Sequence, residues 1–221
     1  MLECFSKGGN MEGYLFDLDG TLLDSMSMWR SLTLNFLKSH NLTFTEELAQ
    51  ELTTMSIKTS ADYLRDLYKL DLTSKEIIEE MEKNIVKGYK NEVPLKEGAL
   101  EVLKALKNQG KKLAIATATN DKYVKIVMDK FKLGDYFDFI ATVDNMGILK
   151  NDPQFYLKAS QKFDLSPKEV TLFDDAPFAI EAALKAGLRV VCMYDKSADA
   201  YFEKQKEACD MALKSFKEYL K

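Results

Sequence analysis

YLFDLDGTLLDS, residues 14–25, joins a short apolar run to a tight acidic turn. Tyr14–Asp17 reads as a buried strand, and Asp17 and Asp19 flank Leu18 where that strand ends. Gly20-Thr21 then permits a tight turn whose backbone N–H groups can face an anion. Two carboxylates this close repel one another unless a cation or a proton lies between them, and a divalent metal meets that need. The alternative is an Asp-rich turn that only caps the following helix.

Outward from this turn, short apolar runs alternate with amphipathic segments, the pattern of a parallel sheet covered by helices. The expected strands are Tyr14–Asp17, Lys112–Ala116, Phe139–Thr142, Val170–Phe173 and Arg189–Met193. Helical patterns run over Glu97–Asn108, Asp121–Phe131, Pro153–Phe163 and Ala179–Ala186. The fold class is therefore α/β, a doubly wound parallel sheet. Between Asp24 and Val93 the alternation stops and only helical periodicity remains, with Leu32, Phe36 and Leu37, or Tyr63, Leu64, Leu67 and Tyr68, three to four apart. Residues 24–93 are thus expected to form an all-helical insertion, and 11–23 with 94–221 the α/β core. Leu213, Phe216 and Leu220 suggest a last helix lying on the sheet. Ser6–Asn10 reads as flexible, and Met11 is an alternative start.

Composition narrows the function. With 221 residues and 46% hydrophobic content the chain can bury a full core. Its net charge of -4 arises from 31 basic and 35 acidic residues that are interleaved, which argues against nucleic acid or an anionic membrane as partner. No run approaches the roughly 18 apolar residues of a membrane span, and the amino terminus lacks the apolar core of a signal peptide, so a cytoplasmic protein is expected. Cys4, Cys192 and Cys209 have neither disulfide nor zinc spacing, which leaves reduced thiols. His40 is the single histidine, so mechanisms built on histidine pairs are excluded.

Ligands of open parallel sheets bind beyond the carboxyl ends of the strands. Asp174-Asp175 follows one such strand, although either residue alone could be an N-cap. With Asp17 and Asp19 they supply the hard oxygen ligands that Mg²⁺ prefers. Thr117 offers a hydroxyl, and Ala118 after it a backbone amide, suited to a phosphate oxygen, though a Thr there can also be a simple cap. Lys150 lies in a loop before Pro153, where many lysines are merely solvated. It gains its value from the set, because a phosphoryl group among carboxylates needs positive charge besides the metal.

In this order, Asp17-Leu18-Asp19-Gly20-Thr21, Thr117, Lys150 and Asp174-Asp175 resemble the four motifs of the haloacid dehalogenase superfamily, over Tyr14 to about Asp195. The resemblance implies a Rossmannoid core with a small helical cap inserted after the first motif. It also implies a Mg²⁺-dependent phosphatase of small phosphorylated metabolites. In that scheme Asp17 is the nucleophile that forms an aspartyl-phosphate and Asp19 the acid and base. Asp17, the Asp19 carbonyl, Asp174 and Asp175 hold the metal, while Thr117, Ala118 and Lys150 hold phosphoryl oxygens. Dehalogenases of the superfamily need neither the metal nor the second aspartate, so Asp19 argues against that activity. β-Phosphoglucomutases carry a histidine on the first cap helix, where this chain has Trp29. A sugar phosphomutase is therefore the second reading and a non-catalytic phosphate-binding module the third. The chain departs from common family patterns at Asn151-Asp152 and at Ala176. Trp29, Met26 and Met28 fall near the first hinge, as packing or as an apolar wall above the phosphate site.

Overall fold

The computed structural model describes residues 12–45, 48, 52 and 57–220. Cys4, the stretch Ser6–Asn10 and Met11 lie outside them. The chain divides into two compact units, one formed by Met1–Met26 with Val93–Lys221 and the other by Ser27–Glu92. Among the described residues no helix is long and apolar enough to cross a membrane.

The first unit begins with β1 (Gly13–Phe16), buried throughout because neighbours cover it on both sides. The chain then leaves through α1 (Met26–Ser39). Within the second unit follow α2 (Ile57–Tyr68) and α3 (Ser74–Lys87), the latter opened by a capping box between Thr73 and Glu76. A π-helical turn, Gly88–Glu92, ends the excursion. Leu32, Phe36 and Leu37 of α1 are buried as their spacing predicts. In α2 the buried face is Ser60, Ala61 and Leu64, whereas Leu67 is 49% exposed. The periodicity thus marks the helix, and Leu64 of the large residues lies inward beside the small Ser60 and Ala61.

Back in the first unit come α4 (Ala99–Asn108), β2 (Lys112–Thr117), α5 (Asp121–Phe131), β3 (Phe139–Thr142), the short α6 (Val143–Met146) and α7 (Pro153–Lys162). They are followed by β4 (Val170–Asp174), α8 (Pro177–Ala186), β5 (Arg189–Met193), α9 (Asp199–Gln205), β6 (Met211–Leu213) and α10 (Phe216–Tyr219). The strands form one sheet in the order β3-β2-β1-β4-β5-β6, and every neighbouring pair is parallel. This is the doubly wound α/β arrangement, with β1 at the point where the winding reverses. Beneath the site, Leu15, Ala114, Ala116, Phe155, Tyr156 and Leu172 share one apolar cluster.

Two expectations need correction. Leu213 belongs to β6, not to a last helix. Its backbone extends the sheet edge beside β5, and three residues are too few to display a strand period. Helix α4 starts at Ala99 rather than Glu97, because Gly98 takes a left-handed conformation with φ of 84°. A side chain at Gly98 would meet the backbone N of Lys217 at 2.8 Å, so the chain must turn there without one.

Candidate active site at the carboxyl ends of the strands

The turn after β1 is closed by two backbone bonds, Leu23 N–H to Leu18 O at 2.8 Å and Gly20 N–H to Leu23 O at 3.0 Å. Asp17 sits at its start, anchored by its N–H to the carbonyl of Phe173 in β4 at 2.9 Å. Parallel pairing in register puts Phe16 beside Phe173, so the acids that follow these two residues emerge side by side. Asp17, Asp174 and Asp175 each present a carboxylate oxygen within 4.8 Å of the others, and all three are buried.

Lys150 reaches this group from the loop between β3 and α7. Its ammonium lies 2.5 Å from Asp17 Oδ1 and 2.7 Å from Asp174 Oδ2, and its side chain is 3% exposed. Burial alone would lower the Lys150 pKa, but Asp17 and Asp174 outweigh it and push it up, so the cation persists. Burial pushes the carboxyl of Asp17 well above its ordinary value, against the pull of Lys150. Asp174 is raised by the same cause. Asp175 is pushed up to about 7, first by burial and then by the charge of Asp174, with the Thr21 hydroxyl opposing. One ammonium is too little charge for three buried carboxylates. A hard divalent cation such as Mg²⁺ would supply the remainder, and the all-oxygen donor set suits it.

Asp19 stands apart from this trio. Its carboxylate accepts from Ser25 Oγ at 2.5 Å and from the hydroxyl of Thr119. The Thr119 N–H in turn donates to Thr117 Oγ1 at 3.1 Å, so the loop after β2 is tied to the turn after β1. Thr117 is buried and Ala118 beside it is exposed. The structure therefore brings Lys150 directly onto Asp17 and Asp174 with Asp175 adjacent, and it links Thr117 to Asp19 through Thr119.

Contacts that the sequence does not show complete the arrangement. Thr21 Oγ1 donates to Asp175 Oδ1 at 2.8 Å. Gly20 has φ of 86°, and a Cβ there would fall 2.4 Å from Asp175 Oδ2, so the turn packs against that carboxylate because glycine is present. Tyr156 buries its phenol near Asp174 and Asp17, and its pKa is raised by burial and then by their charges. Isolated hydroxyls give no sequence signal, and the one available cue was the closeness of Gly20 and Thr21 to the acidic pair.

The two departures from pattern leave this geometry intact. Asp152 caps α7 by accepting from Gln154 N–H at 2.9 Å, with Pro153 at the first helical position. Ala176 offers no hydroxyl, but its N–H donates to Asp174 Oδ1 at 2.9 Å. In the second unit, Trp29 Nε1 donates to the Tyr89 hydroxyl at 3.2 Å. Met28 packs on Gly88, where a Cβ would lie 2.2 Å from its sulfur. Both residues thus pack inside that unit.

Residues 14–193 match the haloacid dehalogenase-like hydrolase family. The chain is 27% identical over 182 residues to the phosphorylated carbohydrates phosphatase of Thermotoga maritima, covering 80% of this chain and 82% of that protein. It is 29% identical over 182 residues to the phosphoglycolate phosphatase of Aquifex aeolicus, covering 81% and 83%. Among solved structures it is similar to CbbY from Rhodobacter sphaeroides in complex with phosphate. That match has a TM-score of 0.76 and 25% identity, over 94% of this chain and 96% of the other. The match runs from the strand that leads into Asp17 to the strand after Asp174 and Asp175, so the chain belongs to the haloacid dehalogenase-like hydrolase family.

Proposed function

We propose that this chain is a Mg²⁺-dependent phosphatase of small phosphorylated metabolites. In this reading residues 11–23 and 94–221 form the catalytic part and 24–93 a cap. The observation that carries it is the contact of Lys150 with Asp17 and Asp174 beside Asp175, a site balanced for an anion and a divalent cation together. The names of the Thermotoga and Aquifex relatives support the same chemistry.

Asp17, Asp174, Asp175 and the Asp19 carbonyl would hold Mg²⁺, which when bound supplies positive charge to the phosphoryl oxygens. The carboxylate of Asp17 attacks phosphorus as the bond to the leaving oxygen breaks, and Asp19 gives that oxygen its proton. Asp19 then takes a proton from water, whose oxygen attacks the aspartyl-phosphate. The bond to Asp17 breaks and phosphate leaves. Ser25 and Thr119 hold the Asp19 carboxylate by both oxygens and so fix its direction for these transfers. Lys150, Thr117 and the Ala118 amide receive phosphoryl oxygens, which suits a reaction that depends on positioning and charge.

A phosphomutase of sugar phosphates is the competing reading within the same fold. Against it stands Trp29, pinned to Tyr89, at the position where the mutases carry a histidine. The test is phosphate release from a panel of sugar phosphates and phosphorylated short acids, with and without Mg²⁺ and with Asp17→Asn. Release that needs both Mg²⁺ and Asp17 is expected. Metal-independent release that survives Asp17→Asn would overturn the proposal, and faster isomerisation of a hexose phosphate than hydrolysis would favour the mutase.

A further inference from the structure

Lys96 lies on the segment by which the chain returns to the first unit, far in sequence from Asp17, Asp174 and Asp175. The outgoing and returning segments are joined: Asp24 N–H donates to Pro94 O at 3.1 Å, Lys96 N–H donates to Leu22 O at 2.8 Å, and Leu23 bridges Leu95 antiparallel. From this position the Lys96 ammonium donates to the Gly20 carbonyl and to the Tyr194 carbonyl, the latter at 2.8 Å. It also pairs with Asp195 Oδ2 at 2.9 Å, and its side chain is only 16% exposed.

The Gly20 carbonyl belongs to the peptide that leads into Thr21. Lys96 thus grips one end of that peptide, while the hydroxyl of Thr21, on its other side, donates to Asp175. The same glycine lies against the Asp175 carboxylate, so a rotation of this peptide would disturb both contacts at once. The second carbonyl, that of Tyr194, follows β5, the strand next to the one that carries Asp174. One ammonium therefore pins the turn after β1 to the loop after β5, with Asp174 at the end of the strand between them and Asp175 just beyond it.

We propose that Lys96 is a positioning residue for the divalent-cation site: it locks the Gly20–Thr21 peptide and, through Thr21, the orientation of Asp175. The inference rests on the Mg²⁺-dependent reading above. Outer partners that orient metal ligands typically change metal affinity by about 10–100-fold when lost.

The experiment is calorimetric titration of the full chain with Mg²⁺ alone, for wild type, Lys96→Met, Lys96→Arg and Asp195→Asn, with circular dichroism as the check on folding. Lys96→Met is expected to bind Mg²⁺ at least tenfold more weakly. Its kcat for phosphate release should fall while KM changes less than twofold, a split that general loosening of the fold would not produce. Asp195→Asn keeps both carbonyl contacts and should bind Mg²⁺ within about twofold of wild type. Lys96→Arg keeps the charge, but its planar fork cannot direct donors to three acceptors as an ammonium does, so it should also weaken binding. If Lys96→Met fails to fold, Lys96→Arg carries the test. A folded Lys96 variant with wild-type Mg²⁺ affinity overturns the inference alone. A wild-type chain that binds no Mg²⁺ overturns the metal-dependent reading and the inference with it.

Discussion

Replacing Lys150 by Met removes the ammonium that, among the described residues, touches Asp17 and Asp174, and keeps most of its volume. At 2.5 and 2.7 Å each pair is worth on the order of 6 kcal/mol of gross Coulomb attraction at an effective dielectric near 20. Much of this is offset in the wild type by the cost of burying the ammonium. Removal of one member of a buried pair typically leaves a net loss of about 3–5 kcal/mol, because the remaining charge stays buried without its partner. For a chain of this size that corresponds to a melting temperature lowered by about 6–20 °C. The loss should depend on pH with a definite sign. Burial already raises Asp17 and Asp174, and without Lys150 they rise further. The folded variant then holds more protons than the unfolded chain between the ordinary carboxylate pKa and the raised one. Its stability therefore falls as pH increases across that window. Thermal melts of Lys150→Met and wild type in a chelator, at pH 5 and pH 8, read this directly. The deficit should be larger at pH 8, and millimolar Mg²⁺ should raise the variant's melting temperature more than that of the wild type. A variant that melts within about 2 °C of wild type at pH 8 without metal would refute the argument that Lys150 is what offsets the trio.

The metal-free wild type should itself lose stability with rising pH. Asp175 moves from an ordinary 3.8 to about 7, and at about 1.36 kcal/mol per pH unit the interval from pH 5 to 7 removes roughly 2–3 kcal/mol. Denaturant melts in a chelator check this, and a flat or rising profile would contradict it; Mg²⁺ should flatten the slope because it holds the ionised form. Gly20→Ala places a Cβ against Asp175 Oδ2 in a left-handed conformation, so it should cost about 1–2 kcal/mol of stability and weaken Mg²⁺ binding at least tenfold by calorimetry. Unchanged metal affinity in a folded Gly20→Ala protein would show that the close packing is not required. Thr21→Val keeps the shape but withdraws the donor from Asp175, and about a tenfold loss of Mg²⁺ affinity is expected with little change in melting temperature.

The acidic residues were legible because strand ends announce themselves: an apolar run that stops at Asp17, or at Asp174-Asp175, has a one-dimensional signature. The groups that orient them were not. Thr21 meets Asp175 across 154 positions, and Thr119 meets Asp19 across 100. Hydroxyls are common in turns, and only the parallel register of β1 with β2 and β4 makes these neighbours. Lys96 was hidden for the same reason, since its carbonyl partners lie 76 and 98 positions away. The sheet edge failed differently. Met211–Leu213 is too short to show a period, and apolar spacing across a strand, a turn and a helix imitated one helix. In α2 the apolar spacing marks the helix but not its full inward face, which takes in the small Ser60 and Ala61 beside Leu64 and leaves Leu67 exposed.

The zipped crossing at Asp24–Pro94 and Leu22–Lys96 means that the α/β unit meets its insertion as a single closed loop. Closure entropy grows only with the logarithm of loop length. Replacing Ser27–Glu92 by a linker of about ten residues would change that cost by only about 1.7 kcal/mol. The sheet and its carboxylates are thus nearly indifferent to how much polypeptide is threaded through this point. A lineage can therefore lengthen, shorten or exchange the inserted segment while the carboxylates at the strand ends keep their places.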